Sequence, residues 1–236
     1  MGVVLRLDIP LYSAKISHLL RFVSFLAATA SAMPAQDVNF AGAMIGVSTL
    51  SADGRSVIDS TNTSVSLYKP ENALTWFVFA GRHLNDFLSA QVSYTRNRND
   101  LTLTSVQVTA GIERSYEQSF SARHDTIAGE FMLYFRPRSS RARPYLSAGP
   151  GVARLSSTPK RTVLTRGSPV LPVEFSSTHL CFRVAVGIDL QLRRSVAFRY
   201  TFAETIQNNS ISAHLSPPGR RNLANFQNLF GLVWRF

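Results

Sequence analysis

The run Thr178-His179-Leu180-Cys181-Phe182-Arg183-Val184-Ala185-Val186-Gly187-Ile188-Asp189-Leu190-Gln191 alternates without a break. Leu180, Phe182, Val184, Val186, Ile188 and Leu190 share one parity, and Cys181, Arg183, Ala185, Gly187, Asp189 and Gln191 share the other. In an extended chain the two parities are opposite faces, so one face is apolar throughout and the other is small, polar and charged. Beyond the turn-like Arg193-Arg194 the pattern resumes, with Val196, Phe198, Tyr200 and Phe202 against Ala197, Arg199 and Thr201. Upstream, Ile127, Phe131, Leu133 and Phe135 stand against Glu130, Met132, Tyr134 and Arg136. Period-2 alternation sustained over such segments is the signature of β-strands with one apolar face.

Working outward, strands are predicted at about 38–49, 73–84, 87–97, 124–137, 143–155, 178–192, 195–205 and 224–236. Their connections alternate between long and short. The short ones, Asn85-Asp86, Arg138 to Ala142 and Arg193-Arg194, consist largely of turn-forming or charged residues. The long ones, about 50–72, 98–123, 156–177 and 206–223, include stretches rich in Ser, Thr, Asn and Pro. Tight turns at one end and long loops at the other describe an all-β, eight-stranded antiparallel up-and-down barrel. Within the second long loop, Leu101-Thr102-Leu103-Thr104 and Val106-Gln107-Val108-Thr109 also alternate. The third and fourth strands are therefore expected to continue as an exposed hairpin with edges open to a partner strand. The same alternation allows a ten-stranded barrel as the second topology.

Composition sharpens this reading. The 236 residues are 45% hydrophobic and only 17% charged, yet no stretch reaches the ~18 uncharged apolar residues of a transmembrane helix. A helical membrane protein is excluded. The single cysteine, Cys181, excludes an intramolecular disulfide and any multi-thiolate metal site. A soluble barrel would turn its apolar parity inward and its polar parity to water. Here the polar parity is sparing in Lys and Glu and rich in Gly, Ala and Ser, which suits a narrow packed lumen. Tyr94, Phe135 and Trp234 lie on the apolar parity near strand ends, as interfacial aromatic girdles do. The predicted barrel is thus transmembrane, with its apolar face on lipid.

The N-terminus predicts export. Arg6, Lys15 and Arg21 precede the apolar run Phe22 to Ala28, which leads into Ala30-Ser31-Ala32, the order of a cleaved signal peptide over residues 1–32. The barrel is then 33–236. Removing the leader takes the formal charge of +11 to about +9, and in an exported chain that basic excess is not read as nucleic-acid binding.

The C-terminus is the most specific motif. Phe226, Asn228, Phe230, Leu232, Trp234 and Phe236 share one parity, and Gly231 lies five positions before the end. Gly231-Leu232-Val233-Trp234-Arg235-Phe236 resembles the C-terminal β-signal of bacterial outer-membrane proteins. With the strand count and loop rhythm, the chain resembles the OmpA-like outer-membrane β-barrel domain family. That resemblance implies insertion by the barrel-assembly machinery, with Phe230, Gly231, Leu232, Trp234 and Phe236 as its signal. Phe230 departs from the family pattern, which more often has a polar residue before the glycine.

The His, Ser and acidic residues are the candidates for chemistry. His214-Leu215-Ser216 resembles the His-x-Ser of lipid A deacylases, but a hydrolase also needs a carboxylate to orient its His, and no Asp or Glu follows Glu204. His124-Asp125 is half of a protease-like arrangement, with Glu174 as the nearest further acid. The histidines show no metal-ligand spacing. Neither cofactor nor metal is expected, and a lipid A-modifying enzyme is the disfavoured alternative.

Two charge sets remain. Glu130, Arg136, Arg183, Asp189 and Arg199 fall on the lumen parity and are expected to pair across the interior, because unpaired buried charge is costly. Lys160, Arg161, Arg166, Arg220 and Arg221 lie in long loops, where guanidinium and ammonium groups suit the phosphates of outer-membrane lipid, including lipopolysaccharide. The expected role is non-enzymatic: structural, or adhesin-like contact with an extracellular partner. A small-solute or hydrophobic-ligand conduit is the alternative, with Gly149-Pro150-Gly151 as the visible break in the wall.

Overall fold

A computed structural model describes residues 38–236, the side chains of 161–164 excepted; the expected signal segment lies outside the described residues. The alternating segments form β1 (Asn39–Leu50), β2 (Asp53–Ile58), β3 (Asn62–Pro70), β4 (Ala73–His83), β5 (Leu88–Thr109), β6 (Ile112–Tyr134), β7 (Ala142–Arg166), β8 (Phe175–Arg193), β9 (Val196–Asn208) and β10 (Asn222–Arg235), with a single-turn helix α1 (Ser210–Ala213) before the last strand. The order β5-β4-β1-β10-β9-β8-β7-β6, with β6 returning to β5, closes an eight-stranded antiparallel ring. Each predicted strand overlaps one ring strand, though β5, β6 and β7 run further at the long-connection end and β6 stops at Tyr134.

The two additional strands do not enter the ring. β4 pairs with Ser89–Asn97 of β5, and β3 pairs with Leu101–Thr109 on the same edge higher up. β2 then pairs with β3. A ten-stranded ring is thereby replaced by eight strands carrying a hairpin on the long-connection side.

The outer face keeps the lipid parity seen in the sequence. Trp76, Phe131, Leu180, Phe182, Val186 and Leu232 are exposed, a pattern that water would penalise and hydrocarbon favours. Sidedness follows from the turns. At the short end the Asn85 side chain accepts from the backbone N–H groups of Phe87 and Leu88 at 2.8 and 2.7 Å, the local self-capping that makes Asn a turn residue. At the far end Ala110 and Gly111, both at positive φ (50° and 78°), close the β5–β6 hairpin in two residues, the geometry that matches strand twist.

The stretches expected to be irregular loops are largely ordered. β5, β6 and β7 extend well beyond the ring, so that β2-β3-β5-β6-β7 continue as one sheet above it. The edges expected to be open on the 101–109 hairpin are occupied: β5 is held by β3 on one side and β6 on the other, and β6 by β7. The physical reason is that a lone two-stranded ribbon is marginal in water, and each added strand satisfies another row of backbone groups. Under this extension sits a hydrophobic core of Tyr68, Leu101, Leu103, Phe120, Leu155 and Leu223. A second core, with Phe40, Met44, Phe77, Met132, Tyr145 and Val233, fills the short-turn half of the ring.

Candidate functional site

The ring interior is layered. Nearest the short turns, Arg143 lies 3.8 Å from the Tyr134 ring centroid and donates to the Asp86 carbonyl at 2.9 Å. Next, Arg199 grips Asp189 with Nε and Nη2 at 2.6 and 2.8 Å, donates to Tyr134 Oη at 2.9 Å and to Gln91 at 3.2 Å, and sits over the Phe79 ring. Above it, Arg183 Nη1 donates to Glu130 at 2.7 Å, and Ser93 and Ser147 donate to the same carboxylate at 2.8 and 2.9 Å. Both acids and both arginines are at most 1% exposed in their side chains. Charges at that depth persist because each is paired, hydrogen-bonded or laid on an aromatic face.

Arg136 does not join this network. The β6–β7 ladder ends at Tyr134 opposite Tyr145, so the chain has left the strand before residue 136 and the parity rule no longer applies; Arg136 is exposed. Its carbonyl accepts from Arg143 at 3.4 Å. Arg143 and Arg235 occupy the lumen instead, Arg235 lying 3.8 Å from Asp189. Alternation carries the signal for both, since each lies one position from a lipid-facing or turn residue.

A polar belt follows. His124 is buried between Gln207 at 3.0 Å and Asn225 at 3.1 Å, and Asn225 accepts from Ser48 at 2.6 Å. Asp125, the next residue, points to the opposite face of the strand and accepts from Tyr94 at 2.7 Å. The two side chains cannot act on one substrate, and Glu174 is exposed in the loop before β8.

The mouth is closed by residues 209–220. α1 places Ile211 in the upper hydrophobic core, and the bend that follows the helix brings Leu215 into it as well. Asn209 caps it, accepting from the Ser212 N–H at 3.0 Å, and donates to the Tyr68 hydroxyl at 2.9 Å. Burial raises the Tyr68 phenol above its ordinary range, so it stays protonated. The Ser216 carbonyl accepts from Ser64 and Ser105, both at 3.2 Å, and the Pro217 carbonyl from Ser66 at 2.5 Å. The Asp53 carboxylate accepts from the Ser212 hydroxyl and the Arg220 N–H. His214 and Ser216 are consequently engaged elsewhere: the imidazole stacks on Phe175 at 4.3 Å between centroids, and the Ser216 hydroxyl accepts from Gln107 at 2.7 Å. Among the described residues no cluster of three or more His, Cys, Asp or Glu is arranged to hold a metal ion.

The loop cations are spread around the rim. Lys160 pairs with Asp100, and Arg166 with Glu113 at 3.0 Å; Arg220 is 83% exposed with Asp53 at 4.0 Å. Arg221 is exposed, and Arg161 lies on β7 opposite Ser119. At the other end of the chain, Phe230, Leu232, Trp234 and Phe236 face outward while β10 pairs with β1 to close the ring. Gly231 lies opposite Met44, where a Cβ would overlap the Ala43 carbonyl oxygen; the small residue lets the closing strands approach.

A lipid-facing ring of eight strands around a filled, charged interior defines a transmembrane β-barrel protein of the outer-membrane type. Residues 22–236 match the family described as the outer membrane protein beta-barrel domain, and the chain belongs to that family. The family places it in the Gram-negative outer membrane, with short turns on the periplasmic side and long connections outside. Among solved structures it is similar to the Neisserial surface protein A (14% identity, 86% of this chain and 100% of that chain, TM-score 0.51). It is also similar to the outer membrane protein OprG of Pseudomonas aeruginosa (9%, 84% and 96%, 0.47) and the N-terminal β-barrel domain of OprF from the same organism (9%, 83% and 97%, 0.45). At 14% identity the likeness to the Neisserial protein speaks for the fold alone. No curated protein sequence matches the chain significantly.

Proposed function

We propose that this barrel is a non-catalytic, non-conducting anchor that holds a stiff β-sheet above the outer leaflet for contact with a partner outside the cell. The observation that carries this reading is the continuity of the extension. β2, β3 and the upper halves of β5, β6 and β7 form one sheet, backed by their own hydrophobic core and by the 209–220 segment. Among the described strands β2 pairs only with β3, so its other edge carries unpaired backbone groups, with Val57 and Ile58 exposed beside it. Such an edge accepts an added strand. An eight-stranded ring leaves interior room for side chains alone, and here those side chains include buried ion pairs.

A conduit with access through the wall is the competing reading. It draws on the β6–β7 ladder, where no pairs form between Ala128 opposite Gly151 and Phe131 opposite Ala148. The register nonetheless stays in step across the interruption. A Cβ at Gly149 would overlap the Gly129 carbonyl oxygen, so the two backbones are close there, and Glu130 with Arg183 stands just inside.

The test is cell adhesion. Bacteria displaying the chain are compared with bacteria displaying a variant in which residues 53–70 are replaced by a short Gly-Ser connection. The anchor reading predicts binding to host or neighbouring cell surfaces that is lost in the variant, while the barrel still shifts in gel mobility on boiling. Equal binding by both would contradict it.

A further inference from the structure

The outward face of β5, β6 and β7 changes character within a few residues. Tyr94, Ile127 and Val152 stand side by side across the three strands, and Ile127 and Val152 are 50% and 45% exposed to lipid. One outward row higher come Arg96, Asp125 and Arg154; one row above that come Arg98, Arg123 and Ser156. On β4, Trp76 pairs with Arg96, an aromatic at the depth where such rings mark the edge of the hydrocarbon. Four arginines therefore meet the headgroup layer on three adjacent strands, with neighbours about 5 Å apart.

Asp125 is the one acid within these two rows, and it meets two of the four arginines. Asp125 accepts from Tyr94 Oη and Arg123 Nε, both at 2.7 Å, and lies 3.8 Å from Arg96. Arg98 and Arg154 are exposed and have no partner among the described residues. The patch is strongly cationic where a bilayer presents phosphate, and guanidinium forks bind phosphate oxygens two at a time. Arg96 and Arg154 are two strands apart, roughly 10 Å, which suits a headgroup carrying more than one phosphate.

A second, independent feature lies below. Across β6 to β9 a largely apolar groove of about 480 Å³ is lined by Phe131, Leu146, Ala148, Val184 and Phe202, with small Ala148 between Phe131 and Val184 and the Glu204 carboxylate at its β9 side. Six residues separate Asp125 from Phe131, roughly 20 Å along a strand and, with the strand tilted, about one leaflet. Cations above and an apolar furrow one leaflet deep complement an anionic amphiphile.

We propose that Arg96, Arg98, Arg123 and Arg154 form a binding site for the phosphates of an outer-leaflet phosphoglycolipid, one of whose acyl chains lies in the Phe131–Ala148–Val184 groove. The site requires only the membrane placement of the family and stands apart from the anchor reading. It lies at the opposite end of the barrel from the exposed short-turn residues Arg141, Arg193 and Arg194, which serve as its control.

The probe is diphosphoryl lipid A, its binding to the folded full-length protein in detergent measured by native mass spectrometry against the fully dephosphorylated lipid. Preference for the phosphorylated form is expected, falling by about tenfold or more in Arg96→Gln/Arg98→Gln/Arg154→Gln and little in Arg141→Gln/Arg193→Gln/Arg194→Gln. Ala148→Phe, which fills the furrow on the lipid face, weakens the same lipid while the heat-modifiable mobility of every variant is retained. Equal binding of phosphorylated and dephosphorylated lipid, or equal losses in the two arginine triples, overturns the proposal. Full displacement of the lipid by inorganic phosphate overturns the lipid as the ligand.

Discussion

Glu130 accepts hydrogen bonds from Arg183, Ser93, Ser147 and Gln91, all from neighbouring or facing strands. Its removal leaves a guanidinium buried without its anion, and Arg183 already has Nε and Nη2 without a hydrogen-bond partner. Breaking a buried pair from one side costs about 3–5 kcal/mol, whereas replacing both partners by apolar groups of similar size is often near neutral. Glu130→Ala is therefore expected to lower the urea stability of the barrel in lipid vesicles by about that amount, and Glu130→Leu with Arg183→Met by much less. Losses that simply add would show that the pair is not coupled. Which residues line the interior was legible from parity alone. Where a strand stops was not: Arg136 has the same parity as Glu130, but the ladder ends two residues before it, and the lumen takes Arg143 and Arg235 from strands that begin or end at the same level.

Among the elements, the ring strands announced themselves because each has lipid on one side and packed lumen on the other, which writes period 2 into Thr178 to Gln191 and its counterparts. β2 and β3 carry no such signal. Both faces of that hairpin are partly wet, so Ser, Thr and Asn are admitted, and pairing with the upper half of β5 supplies the order that local composition does not. The closing segment was hidden in the same way, since Ser, Asn and Pro surround the two residues, Ile211 and Leu215, that anchor it. Truncating a buried Ile to Ala costs about 2–5 kcal/mol. Ile211→Ala is expected to loosen residues 209–220 and the facing β3 without disturbing the membrane band. Hydrogen exchange should rise in those two segments alone; a rise spread through β8 and β9 would show that cap and barrel unfold as one unit.

At the scale of the whole molecule, a sparsely charged, apolar and strongly basic chain resolves into three zones. Lipid takes the apolar parity, the lumen holds paired charge between two hydrophobic cores, and most remaining arginines lie at turns and rims where phosphate is found. The lumen is obstructed at every level, by Arg143 and Tyr134, by Arg199 with Asp189, by Glu130 with Arg183, by the His124 belt and by α1. On the proposed anchor reading these layers leave no continuous water path. Planar-bilayer recording of the folded protein tests that most directly: the account predicts no steady single-channel steps across the physiological voltage range, and reproducible ohmic steps from the intact barrel would contradict it.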